Sequence, residues 1–174
     1  NFSKLDVDDY DFAGDHLLII DTSTGEAVGT YRLLCSRFTE NFYSESEFQL
    51  DNFLMWPITS LELGRACVHS SYRNGNTLDL LWRGISKYID LTESRFLFGC
   101  SSLKSTDVKL ISAVYSNFQS KGIWRDDFQI RPTAKYIFKG FTINSAGADL
   151  SAKEMRDLTP PLLRSYLHAG AKVY

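Results

Sequence analysis

Residues 61–89, LELGRACVHSSYRNGNTLDLLWRGISKYI, decide the fold because they combine a strand pattern, a loop and a helix pattern. The apolar run 61–68 predicts a buried strand, which ends at the turn-forming residues 69–76. From Leu78 to Ile89, apolar residues recur at helical spacing and predict an amphipathic helix. We expect Asn76 to cap this helix, so that the amides of its first turn open onto the loop that carries Arg73. Such a loop suits a phosphate or pyrophosphate.

Two charged residues, Glu62 and Arg65, interrupt the strand on either side of Gly64. Residues three apart in a regular strand point to opposite faces, so one charge would enter an apolar layer at a cost of several kcal/mol unless it were paired. A bulge at Gly64 would reset the alternation and bring both side chains into one cleft. The alternative interpretation is a structural ion pair at a strand edge.

The composition is that of a globular protein. A length of 174 residues, 44% of them hydrophobic, favours one domain over 1–174 with a full core. The net charge of -2 argues against nucleic acid as a partner.

The cysteines, histidines and hydropathy indicate the cellular compartment. Three cysteines lie in apolar runs, Cys35, Cys67 and Cys100, and predict buried thiols in a reducing cytosol rather than disulfides. The three histidines are far apart, so we expect no metal site. No apolar run approaches the ~20 residues of a membrane span. No signal peptide is visible. Together with the cysteines and the lack of a membrane span, this predicts a cytoplasmic protein.

The segments around the central unit predict a mixed sheet with helices. Residues 16–22 and 27–35 read as a hairpin, and its second strand carries Arg32 among apolar neighbours. A buried arginine needs a carboxylate or phosphate partner, for which the acidic residues 8–11 or a ligand are the candidates. Residues 95–101 read as a second buried strand, parallel to 61–68. Further elements are predicted in the C-terminal half: a helix at 108–118, short strands at 128–130 and 135–138, a polar linker at 144–157, and a helix from Pro160-Pro161 to Gly170.

Taken together, several segments resemble one known family. They are DDYD, DHLLIID, GTYRLL, FYSESEF, LELGRACV, YRNGNTLDLLWRGISKYI, FGCSSL and TPPLLRSYLHAGAKV. In order and spacing they resemble the ornithine lipid N-acyltransferases, which move a 3-hydroxyacyl chain from acyl carrier protein to ornithine. The same core is similar to the acyl-homoserine-lactone synthases, and both groups belong to the GNAT superfamily. The resemblance implies a mixed, twisted central sheet flanked by helices, with strands 61–68 and 95–101 splayed apart.

The resemblance also implies roles for individual residues. Its acidic, arginine and E-x-x-R positions imply five catalytic residues: Asp8, Asp11, Arg32, Glu62 and Arg65. The donor phosphopantetheine, on acyl carrier protein, is expected at Val68, Arg73, Asn74, Gly75, Asn76, Thr77 and Arg83. Tyr115 is a candidate general acid by position, and a core aromatic residue is the alternative. No permanently bound cofactor is implied; acyl-phosphopantetheine is a substrate.

The loop and the chain ends depart from the family pattern. Residues 73–77, RNGNT, differ from the common R-x-x-G-x-G/A loop, which favours a carrier-protein phosphate over coenzyme A. The chain opens at Asn1 without methionine and stops at Tyr174 where the family continues, so both ends are expected to be truncated.

Three functions are compatible with these features. The first is acyl-carrier-protein-dependent N-acylation of ornithine or a similar amino acid, the first step of aminolipid synthesis, in the cytoplasm or at the inner membrane surface. The second is a signal synthase resembling the homoserine-lactone enzymes. The third is a binding module for acyl carrier protein or a membrane surface, without turnover. Aminolysis of a thioester requires a base for the protonated amine, and Glu62 is the expected base.

Overall fold

The computed structural model describes residues 6–142 and 147–174. Contacts group the chain into two compact units: Asn1–Glu47 with Leu54–Cys100, here the first unit, and Phe48–Phe53 with Ser101–Tyr174, the second unit. The prediction of one domain over 1–174 stays a prediction. In chain order the elements are β1 (Asp15–Ile20), β2 (Ala27–Cys35), β3 (Phe48–Gln49), α1 (Asp51–Leu54), β4 (Ser60–Val68), α2 (Asn76–Thr92), β5 (Phe96–Phe98), α3 (Val108–Ser120), β6 (Arg131–Pro132), α4 (Ala152–Leu158) and α5 (Pro161–His168).

The first unit is built on a four-stranded mixed sheet in the order β1-β2-β4-β5. β1 and β2 form the predicted antiparallel hairpin, and β4 pairs antiparallel with β2. β4 and β5 are parallel neighbours, as predicted, with Ser60 opposite Phe96 and Glu62 opposite Phe98. Among the described pairs, β4 continues to Val68 with β2 alone beside it, so the two parallel strands pair only at one end.

Helix α2 covers one face of this sheet. Close contacts hold it there: Gly84 of α2 lies against Leu17 of β1, and Gly29 of β2 lies against Thr77 and Leu81. Leu81 and Ile85 are fully buried, in agreement with the predicted apolar stripe. The predicted cap was wrong by one residue, because Gly75 with φ 96° precedes the helix and the side chain of Asn74 accepts a hydrogen bond from the Asn76 amide at 3.1 Å.

Other expectations for the first unit need correction. The buried strand predicted at 95–101 is confined to β5, Phe96–Phe98, and none of its three residues is buried. In β4 only Ser60–Leu63 is buried, and the strand is exposed from Arg65 to Cys67. Cys67 is therefore an exposed thiol rather than a buried one, while Cys35 is buried and Cys100 half-buried; all three are free. Residues 65–67 of β4 are exposed because β5 does not pair with β4 beyond Glu62.

The second unit contains the remaining elements. β3 pairs with β6, with Phe48 opposite Pro132, so the strands predicted at 128–130 and 135–138 were misplaced; Ala134–Tyr136 is a 3-10 helix. α3 confirms the helix predicted at 108–118 and is capped by Asp107. The linker predicted at 144–157 was wrong in its second half, where α4 begins at Ala152 and continues to Leu158; residues 144–146 of that segment fall outside the described residues. α5 begins after Pro160 as predicted, and Gly170 follows it with φ 97°.

The end of the β4–β5 pairing depends on Gly99. A Cβ added there would lie 2.5 Å from the carbonyl oxygen of Leu63, a backbone atom that cannot rotate away. We expect Gly99→Ala to force the strands apart and to lower the free energy of unfolding by about 1–3 kcal/mol, measured by urea denaturation. Gly64→Ala is the matched control, because its Cβ would meet nothing nearer than 3.8 Å. Equal effects of the two substitutions would contradict the prediction.

Candidate active site

The face of the sheet opposite α2 carries the charged residues. Leu17 of β1 faces α2, so its neighbour His16, which lies opposite Arg32 of β2, points to the other face. Arg32 lies opposite Gly64, and Leu34 lies opposite Glu62, which places Arg32 and Glu62 on this same face as diagonal neighbours. Both are only 2% exposed. Two charged side chains are thus buried side by side, and each requires partners.

Arg32 finds its partners in the turn formed by residues 8–12. Its Nη1 donates to Asp8 Oδ1 at 2.5 Å and to Asp11 Oδ1 at 2.9 Å, which confirms the predicted pairing. Asp8 also caps the 3-10 helix Asp9–Asp11 by accepting from the Tyr10 amide, so the turn holds its own carboxylates in place. The guanidinium lies 5.5 Å from the ring centre of Tyr10 and 5.7 Å from that of Tyr43.

A bulge brings Arg65 to the same cluster. Thr30 lies opposite Cys67 and Arg32 opposite Gly64, so two residues of β4, Arg65 and Ala66, face one residue of β2. The bulge predicted at Gly64 therefore lies one residue later, and Arg65 adopts φ 51°, a left-handed conformation that favours glycine. Arg65 Nη2 donates to Asp8 Oδ2 at 2.8 Å, and its Nη1 donates to Asp6.

Glu62 is bound by the segment that follows β2. Its Oε2 accepts from the Tyr43 amide at 2.7 Å, and its Oε1 accepts from the Ser44 amide at 2.8 Å and from the Ser44 hydroxyl. The carboxylate thus receives the amides at the start of the 3-10 helix Tyr43–Ser46. A carboxylate offers about four acceptor positions, so three donors leave one for a proton.

The environment shifts the pKa of these acids in opposite directions. Burial raises the pKa of Glu62, and it outweighs the hydrogen bonds from Ser44 and Tyr43 and the nearby charge of Arg32. Burial acts in the same sense on Asp8, but the hydrogen bond from Arg65 and the charge of Arg32 outweigh it and lower the pKa of Asp8. Glu62 is therefore the stronger base of the two.

The residues expected to bind the donor are spread over the loop and helix that follow β4. Arg73 is exposed, and its Nε donates to the Val68 carbonyl at 3.0 Å. Asn74, Gly75 and Asn76 are also exposed, at the start of α2. Two of these residues differ in setting. The methyl group of Thr77 packs against Gly29 in the core, and Arg83 is exposed about two turns along α2.

Tyr115 belongs to the second unit. It is buried on α3, with its ring edge-to-face to Trp124 at 4.9 Å and to Phe141 at 5.9 Å. Such packing is that of a core aromatic residue. Its role as a general acid stays a prediction.

Sequence reasoning assigned no role to several residues of the cluster: Tyr10, Tyr43, Ser44 and Cys100. Tyr43 and Ser44 lie in FYSESEF, whose only signal was its place in the resemblance. Their contacts with Glu62 span 18 and 19 residues and depend mainly on two backbone amides. Side-chain patterns do not encode such contacts.

Neither a metal-binding cluster nor a membrane-spanning helix is found in the part of the chain that the structure describes. Residues 6–142 and 147–174 contain no group of three or more His, Cys, Asp or Glu residues placed to hold a metal ion. Within the same residues, no helix is long and apolar enough to cross a membrane. A shallow cavity of about 150 Å³ lies between β1 and α2, beside Leu17, Gly84 and Leu91, on the sheet face away from Glu62.

The Asp8 pairing should make stability depend on pH. Since the pKa of Asp8 is lowered below 3.8 in the folded state, its pairing stabilises the protein above that pH and is lost as the pH falls through the lowered pKa. We expect Asp8→Asn to reduce the free energy of unfolding by about 1–2 kcal/mol at pH 7, and by progressively less below pH ~4. Urea denaturation at several pH values measures this difference.

Asp9→Asn is the control for that measurement. It removes the same charge from an exposed neighbour in the same turn and should change the free energy of unfolding by no more than about 0.5 kcal/mol. A loss for Asp8→Asn that is constant from pH 7 to pH 2 would contradict the prediction.

Comparison with known proteins places this chain in a family. Residues 1–83 match the profile described as acetyltransferase (GNAT) domain. The L-ornithine N(alpha)-acyltransferase of Rhizobium meliloti is 32% identical over 98% of this chain and 60% of its own length. The proteins of the same name from Rhodobacter capsulatus and Brucella abortus are 30% and 31% identical, over 98% and 97% of this chain and 68% and 63% of their own lengths.

The comparison also includes a solved structure and the share of each relative's length that the chain spans. A crystal structure of an acetyltransferase from Trypanosoma brucei matches with a TM-score of 0.37 and 12% identity, over 80% of this chain and 69% of that chain. The chain spans 60% to 68% of the length of the curated relatives named above. With 30% identity over 68% of the Rhodobacter capsulatus protein, the chain belongs to the family of the L-ornithine N(alpha)-acyltransferases, with a GNAT-type domain.

Proposed function

We propose that this protein transfers a 3-hydroxyacyl chain from acyl carrier protein to the α-amino group of ornithine or a similar amino acid, the first step of ornithine lipid synthesis. The observation that carries the proposal is the buried Glu62 carboxylate, with its raised pKa, beside the point where β4 and β5 stop pairing. The relatives' name, L-ornithine N(alpha)-acyltransferase, supports both the reaction class and the acceptor.

Glu62 is the proposed base. The acceptor amine is protonated at neutral pH and must lose a proton before it attacks the thioester. A raised pKa makes Glu62 a better proton acceptor than an ordinary carboxylate, and three donors still leave one acceptor position. Because its side chain is almost fully buried, we propose that the proton reaches Glu62 through a water molecule.

The charge balance of the cluster favours a cationic acceptor. Arg32 and Arg65 are outnumbered by carboxylates: Asp6, Asp8, Asp11 and Glu62. A site with excess negative charge attracts an amino acid that carries a second ammonium group, as ornithine does. Arg32 and Arg65 hold the cluster together and supply positive charge beside it.

The bulge in β4 supplies the proposed oxyanion site. Attack on the thioester places negative charge on the carbonyl oxygen, and backbone amides near Arg65 and Ala66 are the proposed donors. One such donor is worth ~3 kcal/mol of transition-state stabilisation. The leaving thiolate needs a proton or a positive environment.

The loop after β4 is the proposed donor site. The phosphate of the phosphopantetheine arm would bind Arg73, Asn74, Gly75, the side chain of Asn76 and the amide of Thr77, beside Val68. Arg83 and Lys87 on α2 would contact the acidic carrier protein. The product is an amphiphile, so we place the enzyme in the cytoplasm, with peripheral attachment at the inner membrane.

A reconstituted assay tests the reaction. Purified protein is incubated with 3-hydroxyacyl carrier protein or the corresponding coenzyme A thioester, and with ornithine or neutral amino acids. We expect N-acylornithine by mass spectrometry, a preference for the carrier-protein donor, and a KM for that donor that rises with salt because the contacts are electrostatic. Formation of a lactone from S-adenosylmethionine, or binding of acyl carrier protein without product, would overturn the proposal.

Substitution of Glu62 tests the proposed base. Glu62→Gln should lower kcat ~10²-fold or more, because an amide accepts no proton from the amine. Its NH2 group must face either the Tyr43 or the Ser44 amide, so a loss of stability of about 1–3 kcal/mol accompanies it. Rates are therefore measured well below the melting temperature.

A core variant separates lost chemistry from lost stability. Ile85 is fully buried on α2, and Ile85→Val should cost about 1 kcal/mol through a small cavity while leaving kcat unchanged. If Glu62→Gln retains kcat within a few-fold when folded, Glu62 only anchors the segment that carries Ser44.

A further inference from the structure

A directed hydrogen-bond chain ends on Glu62. The Cys100 thiol donates to Ser44 Oγ at 3.2 Å, and the Ser44 hydroxyl donates to Glu62 Oε1. Ser44 is 3% exposed, and the chain joins three segments that are far apart in sequence. Each group uses its hydrogen once and in one direction, so the hydroxyl has a fixed orientation.

We infer that Ser44 is a positioning residue that, through its hydroxyl and its amide, holds the Glu62 carboxylate in one orientation and in its ionised form for proton abstraction. The inference rests on the proposed role of Glu62. The Ser44 amide alone would leave Oε1 with one donor, and the hydroxyl adds a second to the same oxygen. Two donors on one oxygen fix its direction and stabilise its negative charge.

Cys100 fixes the direction of the Ser44 hydroxyl. A serine hydroxyl can rotate and can either donate or accept. Since Ser44 Oγ already accepts from the thiol, its own hydrogen is left for Glu62. Burial raises the pKa of Cys100 to about 11, so the thiol keeps its hydrogen at neutral pH and can donate it.

The titration of Glu62 tests the inference without any substrate. In protein labelled with 13C at the glutamate carboxyl groups, the Glu62 signal is the one that Glu62→Gln removes. We expect Ser44→Ala to raise the midpoint of this titration by about 1 pH unit, because the ionised form loses a donor. Ser44→Cys keeps a weaker donor of similar size and should fall between the wild type and Ser44→Ala.

The same shift should appear in catalysis. The acidic limb of the pH profile of kcat/KM reports the base of the free enzyme and should move upward with the NMR midpoint in Ser44→Ala. Ser112→Ala is the matched control, since Ser112 is also buried and its hydroxyl has no hydrogen-bond partner within residues 6–142 and 147–174. That control should move neither midpoint.

Two results would overturn the inference. The first is a Glu62 midpoint in Ser44→Ala and Ser44→Cys equal to that of the wild type. The second is a shift in Ser112→Ala as large as that in Ser44→Ala, because the Ser112 hydroxyl makes no hydrogen bond within residues 6–142 and 147–174. A wild type without turnover would refute the proposed reaction, while the NMR titration would still decide whether Ser44 holds the Glu62 carboxylate.

Discussion

The burial of two opposite charges on one face of the sheet determines the rest of the first unit. Arg32 and Glu62 lie on adjacent antiparallel strands, and each is only 2% exposed. Removing an ion from water costs several kcal/mol, so neither side chain is tolerable without partners. Both recruit partners from outside the sheet: Arg32 binds residues 8–12, and Glu62 binds the segment 43–46.

Those two segments are ordered by the charges more than by their own apolar content. The 3-10 helix Asp9–Asp11 contains no buried residue, and Tyr43–Ser46 contains only Ser44. Tyr43 links the two sets of contacts, because its amide donates to Glu62 while its ring lies beside Arg32. Residues with few apolar contacts would be mobile unless other interactions held them. The buried charges therefore fix the geometry of the open face.

The sequence predicted the main strands and helices but not the residues at which they begin and end. The period of 78–89 predicted α2, and the order of strand, helix and strand predicted the parallel pair β4–β5, because these features depend on side-chain patterning. The ends of elements depend on individual backbone contacts. Gly75 rather than Asn76 precedes α2, and β5 stops at Phe98, where Gly99 lies against the carbonyl of Leu63.

In the charged cluster too, side-chain patterns predicted some contacts, and backbone contacts determined the rest. The need of Arg32 for a carboxylate was readable from its apolar neighbours, and Asp8 and Asp11 provide it. The bulge was anticipated from the spacing of Glu62 and Arg65, yet its place was one residue off, since the pairing register with β2 decides it. The backbone amides of Tyr43 and Ser44 carry no side-chain signal, so their contacts with Glu62 could not be read from the sequence.

Stability alone does not explain this arrangement. Buried ion clusters can often be replaced by apolar residues of similar volume with no loss of stability, or with a gain. Here Arg32 keeps a buried Nε without a hydrogen-bond partner among the described residues, and Arg65 keeps a left-handed backbone conformation; both features cost free energy. A base with a raised pKa and a fixed orientation cannot be built from apolar residues. The strain and the orphaned donor are therefore better explained by the proposed proton transfer at Glu62 than by the needs of the fold.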